Sequence, residues 1–421
     1  MARKGIREYD AKRMLATALS GYDGKAVLVS PGENLKDKLA DNPWLSEGTL
    51  TAKPDQLFGK RGKNGLVSLN KSLDDTAAWI AERINTEKTL LSGVTGELTH
   101  FIVEPFTPFD DDTTENYVSM VLDADADIIY LSNMGGVDVE ENWDQVKEIR
   151  VSPLDEVTAD TYKATVEELF KPEQHEVITN FLVELHGHFR DGGYAYLEIN
   201  PFVVTGGKAE PLDCVAKVDD TAEFECRGLW GTLDYPAPFG QHLSPEEDFI
   251  RELDSKTGSS LKFTLLNGEG RVWNMVAGGG ASVVYADTVC DLGYAKELAM
   301  YGEYSGNPNK QNTYQYAKTV IDLMTRTPDP QGRPKYLLVG GGIANFTDVA
   351  KTFTGIIMAM EEYAEKMKAA NVKVYVRRGG PNYKKGLMDI QSALEKMGVP
   401  VEAHGPETHM TQIVADALGN E

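Results

Sequence analysis

The residues best suited to chemistry follow two apolar runs near the end of the sequence. The glycine run 340–342 follows residues 336–339, and Arg377 and Arg378 follow residues 372–376. Both apolar runs have the length and composition of buried parallel strands. Because the carboxyl ends of parallel strands meet at one edge of a sheet, we expect the glycines and arginines to border the same crevice.

The chemistry of this crevice would be anion binding. Glycines leave backbone N–H groups uncovered, and a helix that begins beyond them carries a partial positive charge, so a carboxylate or phosphate would bind there. A helix terminus contributes at most about 2 kcal/mol, whereas millimolar binding needs about 4 kcal/mol. The arginines supply the remainder, since a guanidinium binds a carboxylate through two parallel hydrogen bonds. A turn capped by Asn345 and Thr347 and a surface arginine pair are the simpler alternatives.

A second group of basic residues lies in the first quarter of the chain. A helix is predicted over residues 6–19, and Lys53 comes at a later strand end, before a loop (59–67) that is rich in glycine and basic residues. Lysine is a compact charge, and glycines admit a phosphate to the backbone, so this pattern favours triphosphate binding. A solvated basic loop is an equally simple interpretation.

Oxygen ligands occur together further along the chain. Residues 197–204 form a predicted strand, and a glycine turn leads back to Asp213. This hairpin would bring Glu198 and Asn200 close to Asp213. Two carboxylates and an amide oxygen are hard ligands, which suit Mg²⁺.

Composition limits the classes of partner. A net charge of −23 on 421 residues argues against nucleic acid and acidic membrane surfaces. Cys214, Cys226 and Cys290 are odd in number and widely spaced, which favours neither a disulfide framework nor a zinc site. No apolar run reaches the roughly 18 residues of a membrane span. We therefore expect a soluble, cytoplasmic protein.

The chain should divide into two parts. Residues 229–245 lose all periodicity and contain several prolines, which indicates a domain boundary. Beyond it, predicted strands at 262–266 and 272–276 alternate with helices around Ala295 and at 314–324. This alternation predicts a parallel α/β sheet.

Several motifs carry a resemblance to a known family. They are GEYSG at 302–306, TYQYAKT at 313–319, GGIANFT at 341–347, RRGGPNY at 377–383 and ETHMT at 407–411. Together they resemble the amino-terminal module of ATP-citrate lyase, which is a separate A subunit in prokaryotes and plants. The resemblance runs essentially from end to end. More distantly, residues 197–204 and the glycine loop at 278 are similar to the β subunit of succinyl-CoA synthetase.

The resemblance implies an α/β fold with two domains. An ATP-grasp domain would span residues 1–243, with a subdomain of about 15–108 inserted between 1–14 and 109–243. A flavodoxin-like, parallel α/β citrate-binding domain would follow over residues 244–421.

The resemblance also implies roles for individual residues. Those expected to bind ATP are Lys53, Arg61, Gly62, Pro105, Thr107 and Glu115. Those expected to bind citrate are Gly306, Asn345, Thr347, Tyr363 and Arg378. Magnesium ligands would be Asn200 and Asp213, with a further metal-associated loop at Asp254, Thr257 and Ser259. Glu198 would be catalytic, since it matches the glutamate that contacts the phosphorylated histidine in succinyl-CoA synthetases. Gly342 stands where a serine is expected in animal enzymes, so one citrate hydrogen bond would be missing.

The implied reaction needs a partner. Mg-ATP would phosphorylate a histidine, the phosphate would pass to citrate, and CoA would attack citryl phosphate before cleavage to acetyl-CoA and oxaloacetate. None of the seven histidines lies in a Gly-His-Ala-Gly type of loop, and His409 is expected to be structural. We therefore expect a hetero-oligomer, whose B subunit supplies the phosphorylated histidine, the CoA site and the cleaving domain.

Two other functions share these motifs. The large subunit of a citryl-CoA synthetase would differ mainly in its partner, so the sequence does not separate it from a lyase subunit. A non-enzymatic carboxylate-binding or scaffold subunit is the third possibility. Retention of Lys53, Glu198, Asn200 and Asp213 argues against a scaffold, which would need neither nucleotide nor metal ligands.

Overall fold

The computed structural model describes residues 3–108, 114–136, 139, 142–241 and 243–419. The chain divides into two compact units, unit 1 (Met1–His242) and unit 2 (Leu243–Glu421). Within the described ranges, no helix combines the length and apolar character needed to cross a membrane.

Unit 1 combines antiparallel sheets with flanking helices. Its described helices are α1 (Glu8–Leu15), α2 (Leu73–Ala81), α3 (Ala159–Leu169), α4 (His175–Asp191) and α5 (Glu223–Trp230). Its described strands are β1 (Arg3–Ile6), β2 (Val27–Val29), β3 (Leu50–Pro54), β4 (Ser68–Lys71), β5 (Thr86–Thr89), β6 (Thr95–Leu98), β7 (Phe101–Pro105), β8 (Asn116–Leu122), β9 (Asp127–Ser132), β10 (Lys147–Val151), β11 (Tyr194–Thr205), β12 (Lys208–Pro211) and β13 (Cys214–Asp219).

Two sheets of unit 1 carry the residues of interest. The larger has the strand order β1-β13-β11-β8-β9-β10, with β12 paired to β11, and the smaller has the order β2-β7-β3-β4. Along β11, Leu197 and Ile199 are buried in the core, whereas Glu198 and Asn200 are half-buried on the other face, as the two-residue period of a strand requires. The helix predicted over residues 6–19 is shorter than expected at both ends. Strand β1 pairs with β13 before α1 begins, and residues 16–18 form a turn after Leu15.

Unit 2 alternates strands and helices. Its described helices are α6 (Pro245–Ser255), α7 (Gly279–Asp291), α8 (Lys310–Arg326), α9 (Val349–Ala369), α10 (Tyr383–Met397) and α11 (Gln412–Leu418). Its strands are β14 (Ser260–Leu265), β15 (Val272–Ala277), β16 (Met300–Ser305), β17 (Lys335–Gly341), β18 (Val372–Arg377) and β19 (Val401–His404).

The sheet of unit 2 confirms the flavodoxin-like prediction. Its strand order is β14-β16-β15-β17-β18-β19, so the strands from β15 to β19 follow the doubly wound order 2-1-3-4-5. These strands are parallel, whereas β14 pairs antiparallel with β16 at the edge. The helix predicted around Ala295 was wrong, because residues 295–297 form only a 3₁₀ turn. The helix of that segment is α7, which begins at the earlier glycine run.

Candidate active site

Unit 1 contains a largely buried group of opposite charges, called here the charge cluster. Its cations are Lys12, Lys53 and Arg61, and its carboxylates are Glu8, Glu104 and Asp213. Lys53 Nζ lies 2.7 Å from Glu8 Oε1, and Lys12 Nζ lies 2.6 Å from Glu104 Oε1. Arg61 lies 2.8 Å from Glu8 Oε2 and also contacts the carboxylate of Asp213. Each cation of the cluster therefore already has a carboxylate partner.

Local structure explains how these charges meet. Helix α1 places Glu8 and Lys12 one turn apart, where i and i+4 side chains are neighbours. Lys53 comes from β3, which pairs with β7, the strand of Glu104. Arg61 is held by a hydrogen bond of 2.9 Å to the carbonyl of Pro54.

The cluster shifts the pKa values of its members. Burial alone would raise the pKa of Glu8, but the three cations around it hold that pKa well below its usual range. Burial would lower the pKa of Lys12, yet Glu104 and Glu8 hold it well above the usual range. Beside the cluster, burial and the charge of Glu8 raise the pKa of Asp55 to about 6, although Asp55 accepts backbone N–H bonds from Glu8 and Tyr9. The cluster is therefore a strongly coupled ionic network.

The predicted magnesium ligands of unit 1 are neighbours. The backbone N–H of Asn200 donates to the carbonyl of Asp213 at 3.0 Å. The amide oxygen of Asn200 accepts a 2.6 Å hydrogen bond from the N–H of Gly136, and its second lone pair leaves room for another partner. The carboxylate of Asp213 is 33% exposed, so a cation could reach it from solvent. A half-exposed carboxylate beside an amide oxygen fits Mg²⁺.

Glu198 lies on the same side of β11 as Asn200. Its neighbour two residues away, Tyr196, donates a hydrogen bond to its carboxylate. Burial and the charge of Glu198 raise the pKa of Tyr196, so that phenol stays protonated as a donor. Glu198 is half-buried on the face opposite the core, where a group outside the sheet could meet it.

The remaining predicted ATP residues lie close to these groups in the sequence. Gly62 is exposed directly after Arg61, and Pro105 and the half-buried Thr107 follow Glu104. Glu115 borders Gly136, where an added Cβ would collide with its carboxylate. Glu115 is therefore linked through Gly136 to the magnesium pair.

In unit 2, two glycine loops and two arginines meet at the carboxyl edge of the sheet. Residues 278–280 follow β15 and residues 340–342 end β17, which are adjacent strands at the point where the strand order reverses. Gly341 has a φ of 150°, and an added Cβ would lie 2.8 Å from Nη1 of Arg378. Arg378 donates to the carbonyl of Gly342 at 2.7 Å, and Arg377 donates to the carbonyl of Gly341 at 3.0 Å. The glycines and arginines that were expected to border one crevice therefore do meet at one edge of the sheet.

The arginines are buried but lack acidic partners. Each is 5% exposed, and neither makes a salt bridge within the part of unit 2 that the structure describes. Burial lowers the pKa of Arg378 from its usual value. Arg377 has a weak influence on the exposed Glu407, whose pKa is lowered mainly by backbone N–H groups. Tyr304 is close enough to act electrostatically on Arg378. Its hydroxyl is buried and has no hydrogen-bond partner within the described part of the chain.

The cap of α9 differs from the expected one. Asp348, rather than Asn345 or Thr347, is the N-cap, and its carboxylate accepts the backbone N–H of Lys351 at 3.0 Å. The same carboxylate accepts a hydrogen bond from Asn382 at 2.8 Å. The partial positive charge at the start of α9 is therefore already stabilised by the Asp348 carboxylate. Any anion in the crevice would instead depend on the arginines and the glycine loops.

Gly306 adjoins the loop that the resemblance associates with a metal. It follows β16 with a φ of 73°, and an added Cβ would lie 3.2 Å from Cα of Ser259. Asp254 in that loop accepts the N–H of Leu261 at 2.7 Å and the ammonium of Lys262 at 2.6 Å. The carboxylate of Asp254 is therefore paired with a cation of the chain, as the carboxylate of Asp213 is in unit 1.

Two residues of the same loop hold its backbone together. Thr257 Oγ1 donates to the carbonyl of Asp254 at 3.3 Å and accepts the N–H of Ser259 at 3.3 Å. Asp254, Thr257 and Ser259 therefore form a closed turn through their own hydrogen bonds. The metal role that the resemblance implies for this loop stays a prediction.

Tyr363 lies apart from the other predicted citrate residues. It is the fifteenth residue of α9, so it lies roughly 21 Å along the helix axis from Val349, which begins the helix beside the crevice. The ring is 9% exposed, packs in the core of unit 2 and has Lys366 Nζ 4.8 Å from its centroid. The expectation that Tyr363 shares a site with Arg378 is corrected by this geometry.

Sequence reasoning missed several members of these sites. Glu8 and Lys12 lie in a predicted helix and Glu104 in a short apolar strand, and neither pattern indicated that these side chains belong to a site. A charged residue within an apolar strand is a signal that could have identified Glu104, because such residues are rarely buried unless paired. Gly136 and Tyr304 carried no comparable signal.

Comparison with known proteins gives the class of this chain. A family model described as the ATP-citrate synthase ATP-grasp domain matches residues 2–230, and one described as ATP citrate lyase citrate-binding matches residues 241–420. The two matches define an ATP-dependent enzyme chain that joins an ATP-grasp domain to a citrate-binding domain.

Individual relatives agree over the whole length. ATP-citrate synthase alpha chain protein 2 of Arabidopsis thaliana is 46% identical over 423 residues, which cover 99% of this chain and 98% of the relative. ATP-citrate synthase of Homo sapiens is 43% identical over 100% of this chain and 38% of its own length. A solved structure of ATP citrate lyase from Methanothrix soehngenii, in complex with citrate and coenzyme A, has a TM-score of 0.88 at 47% identity and covers 99% of this chain and 100% of that one. The chain belongs to the ATP-citrate synthase family, also called the ATP-citrate lyases.

Proposed function

We propose that this chain is the ATP-citrate lyase subunit that binds Mg-ATP in unit 1 and citrate in unit 2, for phosphoryl transfer through a histidine of a partner subunit. The observation that carries the proposal is the pair of buried guanidinium groups, Arg377 and Arg378, which have no carboxylate partner among the residues that the structure describes. A buried charge is costly unless it is paired. A ligand with several carboxylates would supply the missing charge.

For citrate, the proposed ligands are Arg378 and the loops beside it. Arg378 would bind one carboxylate through its planar fork. Gly306, Asn345 and Thr347 lie on loops that follow strands β16 and β17, at the carboxyl edge of the sheet. Gly342 has open space where a side chain would be, so a citrate oxygen could approach the backbone there. Tyr363 is left out of this proposed site because of its position on α9.

For ATP, the proposed contacts are Lys53, Arg61, Gly62, Pro105, Thr107 and Glu115 in unit 1. Lys53 and Arg61 carry the charge that triphosphate needs, but in the charge cluster they are paired with Glu8 and Asp213. Phosphates would compete with these carboxylates for the two cations. Asn200 and Asp213 would hold Mg²⁺, which supplies charge neutralisation across phosphate oxygens. If Asp213 turned toward the metal, it would release Arg61 for the nucleotide.

Partner chemistry is the finer part of the proposal. The chain has no histidine in the phosphorylated type of loop, so a B subunit would supply that histidine, the CoA site and the cleaving domain. Glu198, which lies on the face of β11 opposite the core, would contact the partner's phosphohistidine loop through a carboxylate-imidazole interaction. The domain division at residues 243–244, with an inserted subdomain of about 15–108, belongs to the same proposal.

The test is phosphorylation of the partner in a reconstituted complex. With labelled ATP and Mg²⁺, the wild-type chain should transfer acid-labile phosphate to a histidine of the B subunit. Asp213→Asn should reduce this transfer by at least about a hundredfold, since it removes a charged metal ligand, while citrate binding stays intact. The matched control is Asp160→Asn, an exposed aspartate at the start of α3. Unchanged phosphorylation in Asp213→Asn would contradict the assignment of the metal site.

A further inference from the structure

A group of potential metal ligands lies beside the citrate crevice but outside it. Glu402, His404 and Asp416 each offer one ligand atom, and these atoms all lie within 4.8 Å of one another. Glu402 and His404 are two residues apart on β19, so their side chains point to the same face of the strand. Asp416 comes from α11. The three residues therefore connect two elements that are separated in sequence by the loop 405–411.

One ligand atom of this group is unpartnered. The His404 side chain is 32% exposed, but its Nε2 atom is shielded from solvent and has no hydrogen-bond partner among the described residues. Oε2 of Glu402 lies 3.9 Å from it. Asp416 accepts a hydrogen bond from Gln412 at 2.8 Å through Oδ1. A buried imidazole nitrogen without a partner is unusual, because buried polar atoms are normally hydrogen-bonded. Nε2 of His404 therefore lies close to two carboxylates without a hydrogen bond of its own.

The spacing suits a small cation. Two ligands at about 2.1 Å from a common ion lie roughly 3.3 to 4.2 Å apart, depending on the coordination geometry. The 3.9 Å between Nε2 of His404 and Oε2 of Glu402 already lies in this range, and the widest separation in the group, at most 4.8 Å, would need only a small side-chain rotation. Two carboxylates and a neutral imidazole carry a charge of −2, which a divalent ion would neutralise.

The donor types select the class of ion. Mg²⁺ and Ca²⁺ prefer oxygen ligands alone, whereas an imidazole with carboxylates suits zinc and related transition metals. We propose that Glu402, His404 and Asp416 bind a divalent transition-metal ion of the zinc class, which joins α11 to β19. Solvent water would complete the coordination shell, as in other zinc sites with three protein ligands.

The location gives this metal a structural role near the crevice. The carbonyl of His404 accepts the backbone N–H of Arg378 at 3.1 Å. Between the two metal-bearing elements, the carbonyls of Pro406 and Thr408 accept hydrogen bonds from Arg377 at 3.2 and 2.9 Å. An ion that ties β19 to α11 would therefore brace the loop that holds Arg377.

The test is metal binding by the full chain in a buffer free of citrate, which is itself a chelator. Titration with Zn²⁺ should give one tight site, and Co²⁺ should give visible absorption bands from nitrogen and oxygen ligands. His404→Gln should weaken zinc binding at least about tenfold, since loss of even an outer-shell partner costs 10- to 100-fold. His409→Gln is the matched control, because this exposed histidine lies five residues away and outside the group.

A second measurement separates specific binding from binding to a chain of high negative charge. Zn²⁺ should raise the thermal midpoint of the wild type and of His409→Gln, but not that of His404→Gln or Asp416→Asn. Without metal, the His404→Gln variant should unfold at nearly the wild-type temperature, which verifies that it is folded. Equal zinc affinity in the wild type and in both His404→Gln and Asp416→Asn would overturn the proposal, as would the absence of a tight site in the wild type.

Discussion

The charge cluster of unit 1 and the arginine pair of unit 2 differ in how their buried positive charge is balanced. In unit 1, Lys12, Lys53 and Arg61 are each paired with a carboxylate of the chain. In unit 2, Arg377 and Arg378 are equally buried but donate to backbone carbonyls and make no salt bridge among the described residues. The first arrangement is balanced without a ligand, and the second is not.

This difference separates two modes of anion binding. A nucleotide entering unit 1 would have to exchange phosphate oxygens for carboxylates that are already in place, and a metal that draws Asp213 away would favour that exchange. Citrate entering unit 2 would meet arginines that are held in position and lack a counter-ion. Preorganised donors of this kind lose little free energy to rearrangement when the ligand binds. We therefore expect unit 2 to bind citrate without nucleotide, and ATP binding in unit 1 to depend on Mg²⁺.

The largest expected effect comes from removing one carboxylate of the charge cluster in unit 1. Replacing Glu8 with Ala removes the carboxylate shared by the three cations of the charge cluster and should destabilise unit 1 by about 3 to 5 kcal/mol, the cost of breaking a buried ion pair. Urea unfolding, combined with hydrogen exchange of the α1 and β13 peptides, would measure this loss.

The control for this variant is Glu82→Ala, whose exposed pair with Arg83 should contribute less than about 1 kcal/mol. If Glu8→Ala were as mild as this control, unit 1 would not depend on charge balance and the contrast between the units would disappear.

The second effect concerns Arg378, one of the two buried arginines of unit 2. Arg378→Ala should weaken citrate binding by about 2 to 5 kcal/mol, because it leaves a ligand carboxylate unpaired. ATP binding in unit 1 should not change. Calorimetric titration of both ligands would measure the two affinities.

Two further variants sharpen this result. Arg378→Lys keeps the charge but loses the planar fork, so it should restore only part of the affinity. Arg326→Ala removes an arginine of unit 2 that is paired with Glu246 and Asp322, and it should leave citrate binding unchanged. Equal losses from Arg326→Ala and Arg378→Ala would argue for a general charge effect.

The smallest effect is a pH dependence. Burial and the charge of Glu8 raise the pKa of Asp55 to about 6, so its contribution to stability is fully present below its ordinary pKa of 3.8 and is lost as the pH rises through 6. In Asp55→Asn the side chain does not ionise, so the variant does not lose this stability as the pH rises. The variant should therefore gain up to about 3 kcal/mol relative to the wild type between pH 4 and pH 7. Free energies of unfolding measured for both proteins over this pH range test whether the wild type loses stability relative to Asp55→Asn as the pH rises. Parallel pH profiles of the two proteins would contradict the raised pKa of Asp55.

Much of the architecture could be predicted from local patterns. Alternating strands and helices beyond residue 245 predicted the parallel sheet, and glycines beside arginines predicted an anion crevice at its edge. The predictions of the fold and of the family were confirmed. These features follow from short-range periodicity, which can be read from the sequence. The general rule that ligands bind at the carboxyl ends of parallel strands then gives the location of the site.

What could not be predicted depends on tertiary contacts. The pairing of Glu8 with Lys53 joins residues of a helix and a distant strand, and no local pattern encodes it. The capping of α9 by Asp348 was missed because Asn345 and Thr347 are also good cap residues, and only the backbone path decides among them. Tyr363 was assigned by resemblance alone, which gives no information about its position along the helix.

The measurement that tests the central claim most directly is calorimetric titration of the purified chain with citrate and then with succinate, in the absence and presence of Mg-ATP. The unbalanced arginines predict that citrate binds without nucleotide, and that succinate, which has one carboxylate fewer, binds at least about tenfold more weakly. Citrate binding that appears only with Mg-ATP, or equal affinities for the two acids, would contradict the claim that unit 2 holds a preformed site for a tricarboxylate.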